Sequence, residues 1–213
     1  VITAVVLDIE GTTSPTASVK ETLYSYTRAN LPAFMRTEAA AEVLAATDRD
    51  PERATMYLRS YIDNDVKDPA LKVAQGAICH EGFLRGELHG LFFPDVPPAL
   101  RSWKAAGKAL YVYSSGSEQN QRDWFRYASS GRLDELITDY FDLSVGGKRD
   151  AASYVDIAGR IGVPAKEILF ISDLAAELDA AAAAGWQVCG IHRPGEPNAP
   201  LPPHRWVVDF TAV

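Results

Sequence analysis

The stretch Val5-Val6-Leu7-Asp8-Ile9-Glu10-Gly11-Thr12-Thr13 decides the fold. Ile2, Val5, Val6 and Leu7 make a short apolar, β-branched run, as expected of a strand buried on both faces of a parallel sheet. The run ends at one carboxylate, a second follows two residues on, and Gly11 breaks the strand. In open α/β sheets ligands bind at the carboxyl ends of the strands, so Asp8 and Glu10 are expected at the mouth of a site.

Beyond Thr13 the pattern turns helical. Ser18 and Glu21 spell a capping box ahead of Leu23, Tyr24, Thr27 and Leu31 at helical spacing. Pro32 is expected to start a new helix, Pro51 to open one reaching Lys67, and Pro69 to open one reaching Leu88. No strand is expected between residues 16 and 91, and the segment reads as a helical cap inserted over the site.

From Leu91 the α/β rhythm resumes. A helix closed by Gly107 leads to a strand over Ala109–Tyr113, which ends at Ser114-Ser115-Gly116-Ser117. Residues 119–127 and 133–137 read as helical, and 141–145 as a short strand leading to Gly146-Gly147-Lys148. A helix over Ala151–Ile161 precedes a strand over 168–171 that ends at Ser172-Asp173. An alanine-rich helix over 174–184, a strand over Gln187–Ile191, a proline-rich loop over 192–203 and an edge strand over 206–210 complete the chain. Strands alternating with helices predict an α/β fold with a doubly wound parallel sheet. The core is expected to span residues 1–15 and 92–213, with the cap at 16–91.

Composition narrows the function. The 213 residues suit one domain carrying an insertion. With 47% hydrophobic and 23% charged residues, disordered and membrane classes are not expected. Twenty-one basic against 28 acidic residues leave a net charge of −7, the wrong sign for a nucleic-acid backbone binder. Cys79 and Cys189 stand far apart in no metal-ligand spacing, which predicts free thiols and a reducing, cytoplasmic setting. The first strand opens the chain directly, so no signal peptide is expected, and the alanine run at 180–184 is too short to cross a membrane. The partner is expected to be a small molecule, the protein a monomer.

Four polar strand ends stand out: Asp8 with Glu10, Ser114 with Ser115, Lys148, and Asp173. In a parallel sheet such ends share one edge, so residues far apart in sequence can meet. Asp8 alone could be an ordinary strand-ending aspartate, and Lys148 alone a solvated loop lysine. Together the set contains a nucleophile, a proton carrier, hydroxyl donors, a cation and a metal ligand, which are the needs of phosphoryl transfer.

These motifs make the sequence similar to the haloacid-dehalogenase superfamily of aspartate-nucleophile phosphatases over nearly its whole length. Asp8-Ile9-Glu10-Gly11-Thr12-Thr13, Tyr113-Ser114-Ser115-Gly116-Ser117 and Arg193-Pro194-Gly195 resemble, more narrowly, the enolase-phosphatase branch that serves methionine salvage. The superfamily usually has aspartate two residues after the nucleophile; Glu10 in its place belongs to that branch.

The resemblance implies roles. Asp8 would attack phosphorus and form an aspartyl phosphate. Glu10 would protonate the leaving oxygen and then deprotonate water, and its backbone carbonyl would ligate a metal. Asp8 and Asp173 would supply carboxylate oxygens to one Mg²⁺ per chain. Ser114 and the backbone N–H of Ser115 would hold the phosphate, and Lys148 would pair with phosphate and Asp8. Glu177, one helical turn beyond Asp173, would act through a water. The implied substrate is a phosphorylated diketone, enolised and then dephosphorylated to the acireductone; the enolisation base is open between Glu10 and a cap residue.

Rival functions are a relative acting on another small phosphate ester, a phosphonate-cleaving relative, a dehalogenase, a receiver-type signalling module and a catalytically dead member. A dehalogenase has no use for Glu10, Lys148 and Asp173. A receiver carries its acceptor after a later strand. The intact set of site residues speaks against a dead member.

Overall fold

The structure is a computed structural model describing residues 1–213. Six strands form one all-parallel sheet: β1 (Ala4–Leu7), β2 (Ala109–Tyr113), β3 (Asp139–Phe141), β4 (Ile168–Ser172), β5 (Gln187–Ile191) and β6 (Trp206–Val207), in the order β3-β2-β1-β4-β5-β6. The chain winds outward from β1 through β2 and β3, then returns to place β4 on the other side of β1. That reversal puts the topological switch point between β1 and β4, where a doubly wound sheet opens a crevice.

All four residues of β1 are buried, because a central parallel strand is covered on both faces. Leu7 pairs with Val112 on one side and Ile171 on the other, so Asp8 begins where the flanking strands also end. The Asp8 N–H still donates to the Ile171 carbonyl at 3.0 Å, which holds the nucleophile candidate against the tip of β4.

The chain divides into two compact units, residues 1–16 with 90–213, and residues 17–89. The second is helical: after α1 (Thr16–Val19) and a π-helical turn at Lys20–Tyr24 come α2 (Ser25–Phe34), α3 (Ala41–Ala46), α4 (Pro51–Asp63) and α5 (Pro69–Leu84). Leu31, Met35, Val43, Leu58, Leu71 and Ile78 share its buried core. Pro51 and Pro69 open α4 and α5 as the sequence predicts, each behind an aspartate, Asp50 or Asp68, whose side chain accepts two first-turn N–H groups. Both helices stop short of the expected ends.

Two expectations fail here for identifiable reasons. Ser18 caps nothing; the helix starts earlier, and the Thr16 N–H finds its acceptor in the distant Glu196 carboxylate at 3.1 Å. Pro32 lies inside α2 instead of starting a helix. It cannot bond the Arg28 carbonyl, and the Arg59 guanidinium donates twice to that carbonyl instead, at 3.2 Å each.

In the sheet unit, α6 (Val96–Ala105), α7 (Glu118–Arg126), α8 (Ala151–Ile161) and α9 (Ala175–Ala183) follow successive strands or loops. Val6, Tyr113, Tyr154, Ile157, Phe170, Leu178 and Trp186 build the core on one face. Val5 and Leu7 point to the other face and are equally buried. The strand expected at 141–145 instead spans Asp139–Phe141. Asp142 then accepts the Ser144 N–H and turns the chain into a 3₁₀ segment. The last strand is only Trp206–Val207, with a short turn at Phe210–Ala212.

Candidate active site

Asp8 is buried at the switch point and both of its carboxylate oxygens are engaged. Oδ1 accepts from Lys148 Nζ at 2.5 Å and Oδ2 from the Thr12 hydroxyl at 2.9 Å. The Thr12 hydroxyl oxygen in turn accepts the Asp173 backbone N–H at 3.0 Å. One side chain therefore ties the loop after β1 to the end of β4. Thr13 supports the turn, its hydroxyl donating to the carbonyls of Asp8 and Ile9.

Gly11 is required by geometry twice over. Its φ is +71°, and a Cβ there would stand 2.2 Å from Asp173 Oδ2. The glycine thus makes room for the second aspartate beside the loop after β1. Glu10, half-buried, lies in the same loop, where its backbone bridges Ser14.

Lys148 reaches the site from the loop between β3 and α8. Three hydroxyls fix that loop: Tyr113 donates to the Gly146 carbonyl at 2.9 Å, Ser153 to Gly147 at 2.8 Å and Tyr154 to Lys148 at 2.7 Å. Its ammonium also lies 2.7 Å from Glu177 Oε2, which accepts from the Ser172 hydroxyl at 2.8 Å. Burial alone would lower the lysine pKa. The two carboxylates, Asp8 first, override burial and hold it raised, so the side chain is a permanent cation.

The carboxylates show the opposite pressure. Burial, and then the charge of Asp8, push Asp173 up from 3.8 to about 7, while the Asn198 amide, 2.6 Å from its Oδ2, opposes the shift. Glu177 is also raised, chiefly by burial. Three acids against one ammonium leave this pocket with a formal charge of 1 − 3 = −2 when all are ionised, which suits a divalent cation. No three His, Cys, Asp or Glu side chains form a ready-made metal cage. Magnesium needs only one or two carboxylates, completing its shell with water and phosphate oxygens.

Ser114 and Ser115 stand at the end of β2, beside β1, the first buried and the second half-buried. Gln121 of α7 pins this loop from behind, donating to the carbonyls of Gly116 and Phe141 at 2.8 and 2.9 Å. Asp8, Lys148, Asp173 and Glu177 are thus joined by direct contacts or through Thr12, with Glu10, Ser114 and Ser115 at the same sheet edge. Sequence reasoning assigns no supporting role to Gln121, Tyr154, Arg193 or Asn198: Gln121 and Tyr154 act on backbone carbonyls of nearby loops, while Arg193, which stands out only as part of a motif, and Asn198 act on partners remote in sequence.

A buried aspartate at the tip of the central strand, with a lysine from the third crossover and an aspartate from the fourth strand, defines a hydrolase class. The chain belongs to the haloacid dehalogenase-like hydrolases, whose family model matches residues 2–185. Within that family it is similar to proteins named Enolase-phosphatase E1. One from Nocardia farcinica is 58% identical, the match covering 98% of this chain and 94% of that protein. Another from Streptomyces avermitilis is 45% identical over 92% of this chain and 87% of that protein. Among solved structures, the UTR4 protein of Saccharomyces cerevisiae superposes with a TM-score of 0.85 at 31% identity, covering all of both chains.

Proposed function

We propose that the protein is an enolase-phosphatase that converts 2,3-diketo-5-methylthiopentyl-1-phosphate into the acireductone and phosphate. The likeness to proteins of that name supports the substrate. The observation that carries the chemistry is the buried Asp8 carboxylate held between Lys148 and Thr12 at the switch point.

In the phosphatase half, an Asp8 oxygen attacks phosphorus as the bond to the substrate oxygen breaks. The electron pair leaves on that oxygen, which takes a proton from Glu10. Lys148 offsets the negative charge brought together by phosphate and nucleophile, and Ser114 with the Ser115 N–H holds the phosphate oxygens. Glu10, now ionised, takes a proton from water; attack of that water on the aspartyl phosphate releases phosphate and restores Asp8. Asp8, Asp173 and the Glu10 carbonyl would hold a magnesium ion, which supplies Lewis-acid charge neutralisation at the phosphate and the enolate. Residues 1–15 and 92–213 carry this chemistry, and the insertion 16–91 selects the part of the substrate beyond the phosphate.

The test is anaerobic incubation with the diketo-phosphate and Mg²⁺, following inorganic phosphate and acireductone absorbance together, with and without chelator. Both signals should rise in step and stop with chelator. Hydrolysis of a generic phosphate ester without turnover of the diketo-phosphate would keep the phosphatase chemistry and remove the substrate assignment.

A further inference from the structure

A second network converges on Thr12, at its backbone carbonyl instead of at the hydroxyl that contacts Asp8. Arg193, just after β5, is 2% exposed, and its Nε and Nη2 both donate to the Thr12 carbonyl, at 3.1 and 3.0 Å. Its Nη1 lies 2.7 and 2.8 Å from the two carboxylate oxygens of Asp95, and the Phe210 N–H donates to Asp95 Oδ2 at 2.8 Å. The guanidinium carbon lies 4.3 Å from the centre of the Phe93 ring and 4.9 Å from that of Phe210. The cation is matched on its polar edge by a carboxylate and a carbonyl, and it also lies close to two aromatic rings.

A buried guanidinium with two donors on one carbonyl fixes that peptide plane. The residue so fixed is the one whose hydroxyl spans Asp8 Oδ2 and the Asp173 N–H. We infer that Arg193, braced by Asp95, is a positioning residue for phosphoryl transfer: it acts through Thr12 to set the direction of the Asp8 carboxylate. This rests on Asp8 being the nucleophile. Arg193 makes no contact that would bind phosphate, a task assigned to Ser114, Ser115 and Lys148. Its loss should therefore cost rate and spare binding, because a small misdirection of the attacking oxygen weakens only the transition state.

A double-mutant cycle tests this coupling. Arg193→Lys keeps a cation opposite Asp95 but loses the paired donation to Thr12. It should lower kcat by about 10- to 100-fold while KM and inhibition by inorganic phosphate stay at parental values. Thr12→Val should lower kcat at least as far, and the double variant should be no slower than Thr12→Val alone. Losses that multiply in the double variant, or parental kcat in Arg193→Lys, would overturn the inference. If thermal unfolding shows Arg193→Lys to be unfolded, Asp95→Asn takes its place in the cycle with the same expectations. Asp8→Asn is assayed alongside: turnover there would sink the nucleophile assignment. An inert Asp8→Asn with multiplying losses elsewhere would sink only the role of Arg193.

Discussion

Lys148 Nζ lies 2.7 Å from Glu177 Oε2, so the ammonium that faces Asp8 is shared between two buried carboxylates. Glu177, expected from the sequence to act through a water, directly contacts the Lys148 ammonium. Neutralising it leaves Lys148 to Asp8 alone and removes one of the acids that give the pocket its formal negative charge. Glu177→Gln should keep the fold and lower kcat by about 10- to 100-fold, with half-maximal activity moved to higher Mg²⁺. Steady-state rates across a Mg²⁺ titration check both parts.

Asp8→Asn is nearly isosteric and still offers an oxygen to Lys148 or Thr12. It should fold normally and lose at least about 10³-fold in kcat, since no carboxylate remains to attack phosphorus. Acid-quenched protein should then trap no phosphorylated enzyme.

Lys148→Ala removes the one cation paired with Asp8. The loss in kcat/KM should be about 10²- to 10³-fold, the scale seen when a preorganised charge-stabilising donor is deleted. An unchanged kcat/KM would place Lys148 outside the reaction.

Gly11→Ala forces an L-residue into φ +71° and drives its Cβ toward the Asp173 carboxylate. The backbone alone costs about 1–2 kcal/mol, or about 2–8 °C in Tm for a chain of this size. Activity should fall as well, because Asp173 must move. Thermal unfolding and a phosphatase assay on the same sample would test both.

The raised pKa of Asp173 has a stability consequence in the metal-free protein. Between its ordinary 3.8 and about 7 the folded state holds the proton more tightly than the unfolded state, so stability falls as pH rises through that window. Asp173→Asn removes the effect. With chelator present, its Tm should exceed the parent's by more at pH 7.5 than at pH 4, while activity is lost. A Tm difference independent of pH would show that the Asp173 charge is not a cost to the fold.

Much of the fold was legible in local pattern. The run to Leu7, the strand ending at Tyr113 and the strand ending near Asp173 could be read because central parallel strands are continuously apolar and stop abruptly at polar residues. Failures came where a remote group replaced a local one. Ser18 reads as a cap only if Glu196 is not known to receive the Thr16 N–H, and Pro32 reads as a helix start only if Arg59 is not known to satisfy the Arg28 carbonyl.

The order of residue types along the chain determined the α/β class, the ends of β1, β2 and β4, and the candidates Asp8, Glu10, Ser114, Ser115, Lys148 and Asp173, but not the end of β3, which closes at Phe141 well before Lys148. Hydrophobic period and turn chemistry are local properties, and a parallel sheet sends its strand ends to one edge. Tertiary structure alone decided which groups touch: Glu177 on Lys148, Asn198 on Asp173, Arg193 and Asp95 behind Thr12. Those contacts depend on the register of β1 against β4 and on loops that return from beyond residue 190. Hydrogen bonds between such segments leave no periodic trace in either one.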